Sequence, residues 1–152
     1  MSITDGLEYR VAFYALIQDD EDRYLVLQRS PDSSCFAEQW EMPGGKPDMG
    51  ETAVQALQRE VEEETGLQIS VVGLAGCTEF SLPAFRVVML VFRCIAAGRE
   101  VTLSEEHVAA DWVDEEDVLE KDLTEQARRF LESYFACRGQ SVEAVCVSVP
   151  LE

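Results

Sequence analysis

The chain has 152 residues and a mass of 17.0 kDa, the size of one ordinary domain. Hydrophobic residues make up 47% of it and charged residues 28%, a composition that excludes a disordered protein. Thirty acidic and twelve basic residues give a formal charge of −18. This negative field opposes binding to nucleic acid or anionic lipid, so we expect neither as a partner. An anionic small molecule would need a cation between itself and the protein.

The cysteine count and the first residues bear on the compartment of the protein. Five cysteines without a CxxC pair favour free thiols in a reducing compartment over a disulfide framework. The opening sequence MSITDGLEYR lacks the basic and apolar regions of a signal peptide, and no apolar run reaches the 18 residues that a membrane span needs. We therefore expect a cytoplasmic protein without a membrane segment.

The first 50 residues predict a hairpin followed by a long irregular segment. Residues 9–17 are apolar and β-branched, residues 18–23 form a charged turn, and residues 24–28 alternate as a returning strand. Proline, serine and aspartate mark residues 30–39 as a loop. Residues 40–50 hold two prolines and three glycines, which exclude a regular helix there.

The clearest predicted element is a helix over residues 52–65. Thr52 and Gln55 have the spacing of a capping box, and Gly66 stands where a left-handed cap ends a helix. An apolar stripe for packing on a sheet follows the helical period. The stripe consists of Ala53, Leu57 and Val61.

The second half predicts three more strands, an amphipathic helix and a strand in the tail. Residues 71–80 and 85–95 form strands around a turn, and the nearly all-apolar second one is typical of a central strand covered on both faces. Residues 109–113 form a short strand before acidic residues that begin a helix. Residues 124–137 form a helix with one apolar side, and residues 142–149 alternate as a strand without an identified partner. This order predicts an α/β fold with a mixed sheet flanked by helices.

Three glutamates share one side of the predicted helix 52–65, at the margin of its apolar stripe. Glu60 and Glu64 lie one turn apart, with Glu63 beside them. Like charges at this spacing destabilise a helix by roughly 0.2–0.5 kcal/mol per pair. Their clustering beside a glycine-rich loop favours an oxygen cage for Mg²⁺ or Mn²⁺. By charge alone, a solvated acidic face is the commoner interpretation.

The pattern around this helix resembles the Nudix box. All nine specified positions of that motif are matched without a gap, by Gly45, Glu51, Arg59, Glu60, Val61, Glu63, Glu64, Gly66 and Leu67. The sequence WEMPGGK at residues 40–46, and Glu106 six residues before Trp112, resemble the MutT-like branch, whose members cleave nucleoside triphosphates. The resemblance spans roughly residues 11–135. It implies an α/β/α sandwich with a mixed central sheet.

This organisation makes residues 1–152 a single domain, with a core at about residues 9–137 and a tail at residues 139–152 that adds a strand. A monomer and a homodimer both remain open. The resemblance implies cleavage of a diphosphate linkage by metal-assisted attack of water.

The same resemblance assigns the metal and the base. Glu60, Glu63 and Glu64 bind Mg²⁺, for which Mn²⁺ can substitute, and the Gly44 carbonyl joins them. The water proton goes to Glu60 or to Glu106, which the sequence does not separate. Glycine at positions 44 and 45 lets the backbone approach the ion closely.

The remaining box residues have supporting roles by the same resemblance. Arg59 orients the neighbouring glutamates through charge-assisted hydrogen bonds. Glu51 braces the loop or binds a second ion. Gly45 belongs to the same cofactor-binding loop as Gly44.

Four residues are candidates for contacts with substrate. Arg29 and Lys46 flank the loop and have a charge suited to phosphates, although each is equally well explained as a surface charge. Trp40 and Phe80 are suited to stacking on a base, although buried aromatic residues are the commoner explanation. MutT-like enzymes often carry a second basic residue after the Arg29 position, and Ser30 stands here instead.

The implied function is a Mg²⁺-dependent Nudix pyrophosphohydrolase that converts a nucleoside triphosphate to its monophosphate and pyrophosphate. The base is an oxidised purine, as in 8-oxo-dGTP, or a pyrimidine. Pro83, sixteen residues after the box, is typical of ADP-ribose-cleaving members and keeps ADP-ribose or a dinucleotide as an alternative. A catalytically silent nucleotide-binding module is the third possibility. His107, the single histidine, is interpreted as structural.

Overall fold

The structure, a computed structural model, describes residues 8–138 and 145–147. Eight strands and three helices occur in these residues. In chain order they are β1 (Glu8–Ile17), β2 (Tyr24–Arg29), β3 (Trp40–Glu41), β4 (Gly44–Gly45), α1 (Ala53–Thr65), β5 (Ile69–Leu82), β6 (Phe85–Ala96), β7 (His107–Val113), α2 (Glu115–Val118), α3 (Glu125–Cys137) and β8 (Val145–Cys146). No helix among these residues is long and apolar enough to cross a bilayer.

The strands form two sheets. One is mixed and has the order β4-β1-β6-β5-β8, in which β1 pairs parallel with β6 and β5 pairs parallel with β8. Its other two pairings are antiparallel. The second sheet is antiparallel and has the order β3-β2-β7. The apolar strand β6 lies at the centre of the larger sheet, as its sequence predicts.

The predicted hairpin between the first two strands is wrong. β1 and β2 lie in different sheets, and a single bridge between Gln18 and Tyr24 joins them at the turn. Beyond this bridge each strand pairs with partners from elsewhere in the chain, which supply both of its edges. The alternation and the charged turn establish only that the chain reverses direction. They carry no information about these distant partners.

Two apolar layers cover opposite faces of the sheets, and each contains one long helix. Along β1 the side chains alternate, so that Phe13, Ala15 and Ile17 pack with α1 whereas Leu16 packs with α3. The helix α1 buries Leu57 and Val61 in its layer. The helix α3 buries its layer's Ala127, Phe130 and Leu131. Helices therefore cover both sides of a mixed β-layer, which confirms the predicted α/β/α fold class.

The ends of α1 are fixed by local hydrogen bonds. The Thr52 hydroxyl accepts the Gln55 N–H at 3.2 Å, and the Gln55 side chain accepts the Thr52 N–H at 3.0 Å. Gly66 follows the helix at φ +73°, the left-handed conformation that favours glycine. The predicted capping box and cap are confirmed, and they fix where α1 begins and ends.

The tail adds one described strand. Val145 pairs with Gly76, and Cys146 pairs with Cys77, at the edge of β5, which supplies the partner that the sequence did not identify. The rest of the predicted tail strand, at residues 142–149, lies mostly outside the described residues.

Candidate active site

The glycines of β4 lie against two glutamates of α1. The Gly44 N–H donates to Glu64 Oε2 at 3.0 Å. A Cβ atom on Gly45 would lie 2.6 Å from the carboxyl carbon of Glu60, so only glycine leaves room for that carboxylate. The consecutive glycines thus hold two carboxylates that lie one helical turn apart.

Arg59 pairs with four carboxylates, of which Asp48 is the most distant at 3.4 Å from Nε. We call the remaining three, Glu51, Glu60 and Glu63, the Arg59 set. Its Nε donates to Glu51 Oε2 at 2.8 Å, and its Nη1 donates to Glu60 at 3.1 Å and Glu63 at 3.2 Å. Its Nη2 reaches the Lys46 carbonyl oxygen at 3.1 Å. One guanidinium therefore links the start of the glycine-rich loop to the acidic face of α1.

Glu51 braces the loop in this arrangement. Its Oε1 accepts the Asp48 N–H as well as Arg59 Nη2. The hydrogen bonds from Arg59, followed by that from Asp48, lower the pKa of the Glu51 carboxyl below its ordinary value. Glu51 is therefore held as an anion by the loop that it joins to α1.

Glu64 lies in a different environment, because it is buried and no guanidinium contacts it among the described residues. Burial raises the pKa of its carboxyl well above the ordinary value, and the charge of Glu41 raises it further. The charges of Glu60 and Glu106 act in the same direction, whereas the Gly44 N–H opposes them. Burial also raises the pKa of Glu60, against the effect of Arg59. A cation bound beside Glu60 and Glu64 would therefore stabilise the charged forms of both carboxyls.

Glu106 reaches the site from the loop before β7. Its carbonyl oxygen accepts the Ser30 N–H at 2.9 Å, and its N–H donates to Ser104 Oγ at 3.3 Å. A carboxylate oxygen of Glu106, one of Glu64 and a ring nitrogen of His107 all lie within 4.8 Å of one another. We call these three residues the Glu64 set.

The donors of the Glu64 set fit a divalent metal ion. Two carboxylates supply charge and oxygen, and an imidazole supplies a nitrogen ligand. Glu60 borders this set, whereas Glu63 is directed to Arg59 and has a side chain 59% exposed. The structure thus brings Glu64 together with Glu106, and places the predicted ligand Glu63 with the guanidinium.

A buried ionic group beside the Glu64 set was missed by sequence reasoning. Glu41 on β3 accepts a hydrogen bond from Arg29 Nη1 at 2.8 Å, and its Oε2 lies 2.9 Å from His107 Nε2. Tyr14 on β1 is nearby, and burial together with the charge of Glu41 raises its pKa. The available signal was an acidic residue between Trp40 and Met42, since a charge flanked by apolar residues is seldom buried without partners.

The four substrate candidates are dispersed around the site. Arg29 is half-buried and paired with Glu41, so its charge is already compensated. Lys46 is exposed, with Nζ 5.4 Å from the ring centroid of Phe85. The remaining two are aromatic. Lys121 Nζ lies 4.0 Å from the ring centroid of Trp40 and covers one face of it.

Phe80 forms an aromatic pair. Its ring meets that of Phe36 edge-on at 5.8 Å between centroids, which is a favourable packing geometry. Pro83 lies in the exposed turn between β5 and β6. None of these positions selects a substrate by itself.

The fold and this acidic centre define a class of protein: an α/β/α sandwich whose helix carboxylates meet a glycine pair and a late-loop carboxylate. The profile of the NUDIX domain family matches residues 8–134. The chain therefore belongs to the Nudix family, and it is a hydrolase of phosphoric anhydrides in the MutT-like branch. Enzymes of this family generally use a divalent metal ion.

Individual relatives agree with this assignment. The chain is 30% identical over 136 residues to the nucleoside triphosphatase NudI of Escherichia coli O139:H28, covering 82% of this chain and 96% of the relative. Its fold is similar to a MutT protein of Methanosarcina mazei Go1, with a TM-score of 0.81, 32% identity and coverage of 88% and 98%. A MutT Nudix hydrolase of Burkholderia pseudomallei has a TM-score of 0.70, 29% identity and coverage of 82% and 97%.

Proposed function

We propose that this protein hydrolyses a nucleoside triphosphate at a diphosphate linkage, with Mg²⁺ as its metal, and releases the monophosphate and pyrophosphate. The observation that carries the proposal is the meeting of Glu60 and Glu64 with Glu106 beside the glycines of β4. The named activity of the Escherichia coli relative supports a triphosphate as the substrate.

The charge balance of the site supports a metal-dependent reaction. A triphosphate and the Glu64 set are both anionic, and the whole chain has a formal charge of −18. When bound, the cation would neutralise phosphoryl oxygens and make a water molecule more acidic. Glu64 and Glu106 would hold the ion in this arrangement.

Side chains of the protein would accept the proton, orient the carboxylates and bind phosphate in the proposed reaction. Glu60, which borders the Glu64 set, and Glu106, which belongs to it, are the two candidates to take the proton of the attacking water. Arg59 fixes Glu60 and Glu63 at defined positions. Arg29 stabilises the anion of Glu41 behind the cluster and leaves phosphate binding to the exposed Lys46.

The test is product release from a panel of substrates, with and without Mg²⁺. The panel holds the common nucleoside triphosphates, 8-oxo-dGTP, ADP-ribose and a diadenosine polyphosphate. We expect turnover of a triphosphate that chelation of the metal abolishes. Glu64→Gln should lose this turnover, whereas the matched control Glu62→Gln, an exposed position on the same helix, should keep it.

The outcomes separate the alternatives. Turnover confined to ADP-ribose or the dinucleotide would replace the proposed substrate and retain the chemistry. Within the triphosphates, we propose an oxidised purine or a pyrimidine nucleotide as the preferred substrate. Binding of nucleotides by folded protein without turnover, with Mg²⁺ or Mn²⁺ present, would indicate a silent binding module and contradict the proposal.

A further inference from the structure

The single histidine of the chain has one nitrogen without a partner. The His107 side chain is 0% exposed, and its Nδ1 has no hydrogen-bond partner among the described residues. A buried polar atom without a hydrogen-bond partner destabilises the folded state. A buried nitrogen of this kind therefore requires an explanation in a folded protein.

The other ring nitrogen indicates the tautomer. His107 Nε2 lies 2.9 Å from Glu41 Oε2, the oxygen that also accepts Arg29 Nη1 at 2.8 Å. A carboxylate that pairs with arginine accepts hydrogen bonds and donates none, so Nε2 is the ring nitrogen that donates to Glu41. Nδ1 then has a free lone pair, the form in which histidine binds metal ions.

This arrangement is that of a metal-binding histidine. Such a histidine commonly donates its other ring N–H to a carboxylate, which fixes the orientation of the ring and increases its basicity. Here Glu41 is that carboxylate, and Arg29 holds it in place from the other side. The imidazole is therefore oriented by a buried network before any ion arrives.

The ring also lies close to two carboxylates. A ring nitrogen of His107 and carboxylate oxygens of Glu64 and Glu106 lie within 4.8 Å of one another. Nε2 is engaged by Glu41, so Nδ1 is the ring nitrogen that can offer a lone pair to an ion held by these carboxylates. Two oxygens and a nitrogen suit a borderline transition-metal ion better than Mg²⁺, which prefers oxygen ligands.

We propose that His107 binds the metal ion through Nδ1, together with Glu64 and Glu106, and that this nitrogen makes the site prefer Mn²⁺, Co²⁺ or Zn²⁺ over Mg²⁺. The inference deepens the proposed function and rests on it for the presence of a cation at Glu64. It replaces the structural role that the sequence suggested for His107. It also gives the Arg29–Glu41 pair a role as positioning residues for the ligand.

The test is spectroscopic and needs no substrate. Tag-free protein is loaded with one equivalent of Mn²⁺, and electron spin-echo modulation is recorded for coupling to ¹⁴N. Since the chain holds one histidine, an imidazole coupling identifies His107 directly. We expect this coupling in the unmodified protein, so the result does not depend on how a variant folds.

A variant pair then separates the two nitrogens. In His107→Gln the side-chain amide sits near the place of Nε2 and can still donate to Glu41, but the Nδ1 ligand is lost. We expect Co²⁺ affinity, measured by calorimetry, to fall about 10–100-fold while Mg²⁺ affinity changes less than about 3-fold. Glu105→Gln, an exposed neighbour in the same loop, should retain both affinities.

The results distinguish this inference from the proposed function. Stoichiometric Mn²⁺ binding without ¹⁴N coupling would overturn the role of His107, and so would equal losses of Co²⁺ and Mg²⁺ affinity in His107→Gln. Triphosphate hydrolysis with Mg²⁺ would stand in either case. Conversely, ¹⁴N coupling in a protein that hydrolyses nothing would support the ligand and contradict the proposed reaction.

Discussion

The Arg59 set and the Glu64 set both include glutamates of α1, and they differ in how the charge of those glutamates is compensated. In the Arg59 set, one guanidinium contacts all three carboxylates. In the Glu64 set, Glu64 is buried, and its described contacts are a backbone N–H and further acidic groups. Glu60 and Glu64 are only one helical turn apart, so the difference arises from their surroundings.

The comparison shows that one acidic helix can carry carboxylates that fix a loop and a carboxyl that is suited to binding a cation. The Arg59 set has its cation built into the chain, so it can hold the loop and α1 together at all times. In the Glu64 set, Glu64 is a buried carboxyl to which the described residues supply no guanidinium, and burial disfavours its charged form. The burial of a carboxyl without a guanidinium partner is therefore the observation that most favours the proposed position of the metal.

The largest expected effect comes from Glu64→Gln. The amide can still accept the Gly44 N–H but supplies no charge to a cation, so kcat should fall about 10²–10³-fold, equivalent to roughly 3–4 kcal/mol. In metal-free protein at neutral pH, the same change should raise the free energy of unfolding by about 1 kcal/mol, because the folded state no longer has to bury this charge or bind a proton to neutralise it. Steady-state kinetics and urea unfolding measure the two effects.

The control for this prediction is Glu62→Gln, which removes one negative charge from an exposed position of α1. Its activity and stability should stay close to those of the unmodified protein. A loss of stability in Glu64→Gln, in place of a gain, would show that the two sets do not differ in charge compensation.

The glycines of β4 allow the two sets to be disturbed separately. A Cβ on Gly44 would lie 2.2 Å from the Phe13 carbonyl oxygen and 2.6 Å from the Tyr14 Cα, which are backbone atoms that cannot move cheaply. Gly44→Ala should therefore lower the free energy of unfolding by about 3 kcal/mol. On Gly45 the clash is with the flexible end of Glu60.

Gly45→Ala is accordingly the matched variant. We expect it to unfold within about 1 kcal/mol of the unmodified protein but to lose activity about tenfold, because the Glu60 carboxylate must move. Thermal unfolding and kcat measured on both variants would check this. Equal losses of stability would mean that Glu60 is held as rigidly as the backbone of β1.

Sequence reasoning predicts the elements of this fold well, and their long-range partners poorly. The capping box at Thr52 and the cap at Gly66 are local patterns, so α1 follows from the sequence almost to the residue. The separation of β1 and β2 into two sheets depends on pairings with β4, β6, β3 and β7. No local pattern at the turn encodes those choices.

The residues of the candidate site also divide into those that a local sequence pattern predicts and those that long-range pairing brings together. The glutamates of α1 follow from one helix and one motif, whereas the Glu41–His107 contact joins residues 66 positions apart. A lone histidine offers no spacing from which to predict a ligand, so its structural interpretation was reasonable from sequence. The placement of β3 beside β2, and of β2 beside β7, brings the imidazole to Glu41.

Arg59→Lys tests whether the planar guanidinium is what holds the carboxylates of the Arg59 set in place. Lysine keeps the charge but has no planar fork, so it cannot contact Glu51, Glu60 and Glu63 together. We expect kcat to fall about 10–100-fold, as for other residues that orient ligands. Co²⁺ affinity at the Glu64 set should change much less than kcat. A parallel loss of metal affinity would show that the two sets act as one unit.

The smallest effect concerns Asp19, a carboxylate that is compensated like the Arg59 set but far from the metal cluster. Its side chain is 2% exposed, and it accepts N–H groups of Glu21 and Arg23 and pairs with the guanidinium groups of Arg23 and Arg99. Burial alone would raise its pKa, but these partners outweigh burial and hold the pKa below the ordinary 3.8.

A lowered pKa in the folded state fixes the sign of the pH dependence. The anion stabilises the fold fully above pH 3.8, the ordinary value, and this stabilisation disappears as pH falls through the lower folded value. Asp19→Asn should therefore cost about 1 kcal/mol at pH 7 and progressively less below pH 4, measured by urea unfolding at each pH. A difference that is constant with pH would mean that the Asp19 charge contributes nothing. Guanidinium pairing would then not be what separates stable acidic groups from those that need a metal.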